Sequence, residues 1–257
     1  MRLAPRGAAS PVDSPTHVSP ANQRDVPVAT DSAARKAPPE VLFVVAAVCL
    51  FAFYYLARAD RIGTAAQDDW LRVTALPLSP TLHYVTSALL LAVLPVLAAR
   101  LLCGIRLRDL GLGLGRWREG LVWLAVGIPI ALVAGRIAAA DPAMRAVYPL
   151  DRALTPEAAV FIPHALRNFL YYGAWEVLFR GVLLLGLAGR IGAGPANAAQ
   201  TGLSVTAHFG RVMTETLSAI PAGLAFGWID IRVRSIWYIA IVHWAIGTSM
   251  DWFIVAG

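Results

Sequence analysis

The chain has 257 residues, of which 58% are hydrophobic and 15% charged, with a mean hydropathy of +0.61. A water-soluble domain carries charge on about 25% of its residues, so this composition excludes one and indicates a membrane protein, with the lipid bilayer as its surroundings. The net charge is +6, but its arginines are scattered between apolar runs and form no stripe that could track phosphates, which excludes a nucleic-acid partner.

Residues 1–39 hold seven of the 17 prolines among Ser, Asp, Asn and Arg, without an apolar period. Such a segment cannot bury enough surface to order itself, and we read it as a disordered cytoplasmic tail. No short apolar core lies close to the N-terminus, so the tail is read as retained rather than cleaved.

Crossing about 30 Å of hydrocarbon at 1.5 Å per residue takes about 20 mostly apolar helical residues. That ruler gives seven segments in residues 40–257: Val41 to Ala57, Leu82 to Cys103, Gly120 to Ala139, Val160 to Ala188, Pro195 to Phe209, Leu217 to Ile231 and Ser235 to Val255. The fold class is therefore all-α, a polytopic membrane bundle of seven to eight helices. The fifth and sixth segments are short and fit inside the bundle. Cys49 and Cys103 lie in or beside apolar runs and read as packing residues. Gly111-Leu-Gly113-Leu-Gly115 has no preceding strand and no phosphate-loop spacing, and reads as a loop.

Basic residues sort by side. The tail carries Arg24, Arg35 and Lys36, and later connections on the same side carry Arg100, Arg106, Arg108, Arg116, Arg118, Arg190, Arg232 and Arg234. On the opposite side Arg58, Arg61, Arg72, Arg136, Arg145 and Arg152 stand among Asp60, Asp68, Asp69, Asp141 and Asp151. This asymmetry places the N-terminus in the cytoplasm.

Glu176 is the only acid between Glu157 and Glu215, in the middle of an apolar helix where an ionisable group needs a partner or a wet cavity. Arg180, four residues on, shares its face and can pair with it. His208 and His243 sit in two further apolar segments. Glu176 and His208 each lie about 21 Å along a helix from the inner flank and could meet, whereas His243 lies about 13 Å from Arg234, a mismatch unless its helix tilts or starts deeper. A lone membrane histidine is more often an interhelical hydrogen-bond donor than a catalyst. Three helices offering proton-handling groups shift that balance. His164, Asn168 and Tyr172 extend the Glu176 stripe backwards, with packing as the leading reading for the first two.

Tyr171-Tyr172-Gly-Ala-Trp175-Glu176-Val-Leu-Phe179-Arg180-Gly181, followed by His208 and then His243, resembles the CPBP family of intramembrane proteases, the type 2 CAAX prenyl proteases and bacteriocin-processing enzymes. That family carries Glu-Glu-x-x-x-Arg running into Phe-Arg-Gly, then Phe-x-x-x-His, then His-x-x-x-Asn. The resemblance covers residues 105–257 and departs at three places: Trp175 for the first Glu, Ser204 for the Phe and Gly247 for the Asn.

The resemblance implies an intramembrane endopeptidase of the glutamate type with Glu176, His208, His243 and Arg180 as site residues. A carboxylate and a histidine would activate water, while a second histidine and a donor steady the oxyanion. Glu176 can be that base only if its helix is turned or locally distorted, because one residue of shift rotates a side chain by about 100°. Ser204, Thr248, Ser249 or water could replace the missing amide. Asp251, eight residues after His243 and near its helix end, reads as solvated. The substrate would be a membrane-anchored or lipidated protein cut near its C-terminus, or a short secreted peptide, and the location a bacterial inner (plasma) membrane. No cofactor is implied. Glu176, His208 and His243 form a donor set that could hold zinc, but with no His-Glu-x-x-His helix, direct carboxylate catalysis ranks above metal. The alternative is a catalytically silent CPBP-like protein acting in partner binding or self-immunity.

Overall fold

The structure, a computed structural model, describes residues 37–38, 40–56 and 80–257, without the side chains of 55, 56 and 80–82. The tail assigned to residues 1–39 therefore falls outside the described residues but for 37 and 38. Arg58, Arg61, Arg72, Asp60, Asp68 and Asp69 lie outside them too. The described residues form helices and no strand.

Helix α1, Glu40–Leu56, buries Leu42, Ala46, Cys49 and Phe53 and exposes Val44, Val48 and Phe51. That is one helical stripe turned inward, with apolar side chains outward where lipid replaces water. Helix α2 spans 80–101, with a π-helical stretch at Leu89–Val93 between two α-helical parts. Pro95 lacks the N–H of a regular turn and its ring crowds the carbonyl four residues back, at Leu91, inside the widened stretch.

A short 3-10 turn, Leu107–Leu110, leads into the Gly111–Gly115 loop, where Gly111 and Gly115 take positive φ of 72° and 53°. This loop clasps the start of the last helix. The carbonyls of Gly111, Leu112 and Leu114 accept from Ile236 N, Trp237 Nε1 and the Tyr238 hydroxyl at 3.1, 2.9 and 2.9 Å. A Cβ at Gly115 would stand 2.2 Å from the Val233 carbonyl oxygen. Gly115→Ala is therefore expected to lower stability by about 2 kcal/mol, through left-handed backbone strain and that clash, read as a fall in the thermal midpoint of the detergent-solubilised protein.

Helix α3, Trp117–Ala140, and helix α8, Trp237–Ala256, pack closely along small residues. A Cβ at Gly120, Gly127 or Gly135 would run into Tyr238, Val242 or Ser249 within 2.6 Å, so glycine is what lets the two backbones approach. Helix α4, Pro142–Val147, is short, and its N-cap Asp141 accepts from Ala143 N at 2.8 Å.

Helix α5 runs 158–191: α-helical over Ala158–Glu176, π-helical over Val177–Leu185, then α-helical over Gly186–Ile191. Every residue from 173 to 184 is buried, the pattern of a central helix surrounded on all sides. A Cβ at Gly181 would lie 3.1 Å from the Leu110 carbonyl oxygen, which gives the glycine of Phe-Arg-Gly a packing reason. Helices α6, Ala193–Ala207, and α7, Met213–Val233, complete the bundle.

The helices at His83–Leu101, Trp117–Ala140 and Trp237–Ala256 are long and apolar enough to cross a membrane, and the chain is an integral membrane protein. Among the described residues each of the seven segments expected from the sequence is helical over most of its length, and the eighth helix is the short α4.

Candidate active site

Glu176 is fully buried at the last α-helical residue before the π stretch. A carboxylate there, with nothing but apolar neighbours, would be too costly to keep charged. It is compensated twice. The Nδ1–H of His243 on α8 donates to Glu176 Oε1 at 2.6 Å, and Arg180 Nε lies 3.1 Å from Oε2. The second contact is an ion pair whose N–H points too far off line for a hydrogen bond.

The partner of Glu176 is thus His243, not the His208 suggested by depth along the helices. The reason lies at the start of α8. Ser235 and Ile236 are fully buried, and Ile236 is tied to Gly111, so this helix begins inside the bundle and carries His243 deeper than counting from Arg234 allows. His208 is the C-cap of α6, its Nδ1–H donating to the Ser204 carbonyl at 2.6 Å. Its ring stands edge-on to the Trp175 indole, with centroids 5.3 Å apart. Trp175, at the place of the family's first acid, therefore occupies the position beside His208, while Glu176 faces the other imidazole.

A cavity of about 540 Å³ links these groups, a size that suits a small ligand or a stretch of peptide. His208, His243, Arg180, Trp175 and Tyr172 line it, and Glu176 does not. The carboxylate stands behind His243, whose Nδ1 it holds, leaving Nε2 as the ring nitrogen free for the cavity. His208, with Nδ1 committed to a backbone carbonyl, likewise keeps Nε2 free. Aromatic edges complete the pocket around His243: the rings of Tyr172 and Phe226 lie 4.7 and 5.9 Å from it, and Arg180 stacks over Phe226 at 5.8 Å.

Among the described residues no group of three or more His, Cys, Asp or Glu could hold a metal ion. Glu176, His208 and His243 are not gathered into a ligand set, so the zinc arrangement does not fit these residues. Of the suggested replacements for the amide, Ser204 lines the cavity; Thr248 and Ser249 do not.

A second polar centre lies on the same cavity, one that the sequence does not single out. His164 Nε2–H donates to Asp251 Oδ2 at 2.9 Å, Asn168 Nδ2 donates to the same oxygen at 3.2 Å, and the Tyr84 hydroxyl donates to Asn168 Oδ1 at 2.8 Å. Asp251 is 5% exposed, so it is buried rather than solvated. Also missed are His83, which lines the cavity, and Asp230, fully buried with neither carboxylate oxygen hydrogen-bonded. Asp230 sits two residues from Arg232 at a helix end, where sequence alone suggests water. Four-residue steps back from Glu176 mark His164 and Asn168, but only tertiary packing shows that they meet Asp251 and Tyr84.

No curated protein and no solved structure matches the chain. Residues 158–249, which carry Glu176, Arg180, His208 and His243, match the family model described as Rce1-like, type II CAAX prenyl endopeptidase, and are thus similar to the family that their motifs resemble.

Proposed function

We propose that this protein is an intramembrane endopeptidase of the CAAX type, in which His243, oriented by Glu176, activates water against a peptide bond near the C-terminus of a membrane-anchored or lipidated protein. The observation that carries the reading is the 2.6 Å bond from His243 Nδ1–H to the buried Glu176 carboxylate, on the wall of a cavity that His208 and Arg180 also line. A carboxylate that fixes one imidazole nitrogen leaves the other basic, and it stabilises the imidazolium once a proton has moved.

In the proposed reaction His243 Nε2 takes a proton from water as the water oxygen bonds to the scissile carbonyl carbon. The resulting oxyanion is held by donors on the cavity wall, while His208, whose Nδ1–H is committed to the Ser204 carbonyl, accepts from the attacking water at Nε2. Collapse breaks the C–N bond, and the imidazolium returns its proton to the leaving amine, giving a carboxylate and a new N-terminus. Arg180 balances the charge of Glu176. The location is a bacterial inner (plasma) membrane with the N-terminus cytoplasmic, a reading supported by the arginines at 100–118, 190 and 232–234.

The test is a farnesylated peptide with its modified cysteine fourth from the C-terminus, offered to the full-length protein in liposomes. Wild type is expected to release the C-terminal tripeptide, and His243→Ala and His208→Ala are each expected to release none while accumulating normally. Equal release by all three would refute the assignment.

A further inference from the structure

Gly247 leaves α8 without a side chain at the point where the family motif has its amide, one turn after His243. The space is not empty. A Cβ built at Gly247 would lie 1.8 Å from the Tyr172 hydroxyl oxygen and 2.4 Å from its Cζ. The Tyr172 phenol, arriving from α5, fills the volume that a residue-247 side chain would enter. Its ring packs against the His243 imidazole at 4.7 Å between centroids, and the residue lines the cavity. No hydrogen bond ties this hydroxyl to another described residue, whereas the nearby Tyr84 hydroxyl is committed to Asn168 at 2.8 Å.

We infer that Tyr172 is the oxyanion-stabilising donor of this site, its phenolic O–H standing in for the amide absent at position 247. The inference rests on the endopeptidase reading above and names a residue for a role that reading leaves open. A neutral phenol is a strong single donor. One turn of helix is about 5.4 Å, so a donor beside Gly247 reaches the oxygen of a carbonyl whose carbon is attacked by a water held on His243 Nε2. In a poorly hydrated cavity such a donor needs no reorganisation when charge develops. Gly247 and Tyr172 then form a matched pair. The glycine makes room for the phenol, and a larger residue at 247 would expel it.

The experiment reads oxyanion recognition without turnover. Binding of n-hexylphosphonate, a tetrahedral anion on a short apolar chain, is measured by titration calorimetry on the full-length protein in nanodiscs, with n-hexanol as the neutral control. Tyr172→Phe keeps the ring on His243 and removes only the donor. It is expected to weaken phosphonate binding by about tenfold or more, the worth of one charge-assisted hydrogen bond, with hexanol unchanged. The double variant Tyr172→Ala/Gly247→Asn puts an amide into the vacated volume and is expected to recover binding to within about threefold of wild type. Equal phosphonate binding by wild type and Tyr172→Phe would overturn the inference, as would a wild type that prefers hexanol. A protein that binds phosphonate through Tyr172 yet cleaves no peptide would sink the endopeptidase reading alone, and one that cleaves as fast with Phe at 172 would sink this one alone.

Discussion

Glu176→Ala is expected to destabilise the bundle by about 3–5 kcal/mol and to abolish cleavage, because it strips the buried Arg180 guanidinium of its counter-ion and the His243 Nδ1–H of its acceptor. Arg180 is 2% exposed and pairs with Glu176, so losing the carboxylate leaves a guanidinium in the bundle interior uncompensated. His243 at the same time loses the acceptor that fixes its ring. Glu176→Gln separates the two effects. The amide oxygen still accepts from His243 Nδ1–H and the shape is kept, but no charge remains to stabilise the imidazolium. A drop of about 10²–10⁴ in cleavage rate is expected for it, with a smaller loss of stability than for alanine. Thermal unfolding in detergent gives the first quantity and the peptide assay the second. Undiminished processing by Glu176→Gln would leave the buried pair a structural role only.

How Glu176 comes to face His243 depends on the helix that carries it. The indole of Trp175 stands beside His208 on the cavity wall, and the Glu176 carboxylate stands behind His243. Glu176 can be the base only if its helix is turned or locally distorted, and the π-helical stretch of that helix begins at Val177, one residue after Glu176. It therefore leaves the acid off the cavity wall, which is why the proposed chemistry places the base at His243.

Much of the helical bundle is legible in the sequence because lipid forces each crossing segment to be long, apolar and internally hydrogen-bonded. Segment ends such as Val41 against Glu40 or Ser235 against Trp237 differ by a residue or two, as fraying helix ends do. The π stretches at Leu89–Val93 and Val177–Leu185 have no composition signal, since the same apolar residues serve either ladder. Depth is the other quantity that counting cannot supply. It assumes that helices start at one plane, and the buried start of α8 breaks that assumption. Glu176, Arg180, His208 and His243 are individually readable as misplaced polar groups. Which imidazole meets the acid is not, nor is the answer to the glycine at 247, because both depend on side chains arriving from other helices.

Asp251→Ala is the second large effect expected. Asp251 accepts from both His164 and Asn168, and Asn168 is held in turn by Tyr84, so α2, α5 and α8 meet at one buried carboxylate. Alanine leaves the His164 Nε2–H and one Asn168 N–H without acceptors in residues that are 2% and 7% exposed. Each orphaned buried group costs about 1–3 kcal/mol, and the lost carboxylate also loosens the contact of α2 with α5. A total of about 3–5 kcal/mol is expected, measured as the fall in the unfolding midpoint of the solubilised protein. Tyr84→Phe removes only the outermost link and should cost about 1 kcal/mol. The double variant decides how the links are connected. With Asp251 already gone, Asn168 is free to turn and satisfy itself, so Tyr84→Phe is expected to add less in that background than in the wild type. Additive losses would mean that Tyr84 and Asp251 hold their helices independently, and the centre would be two separate ties rather than one.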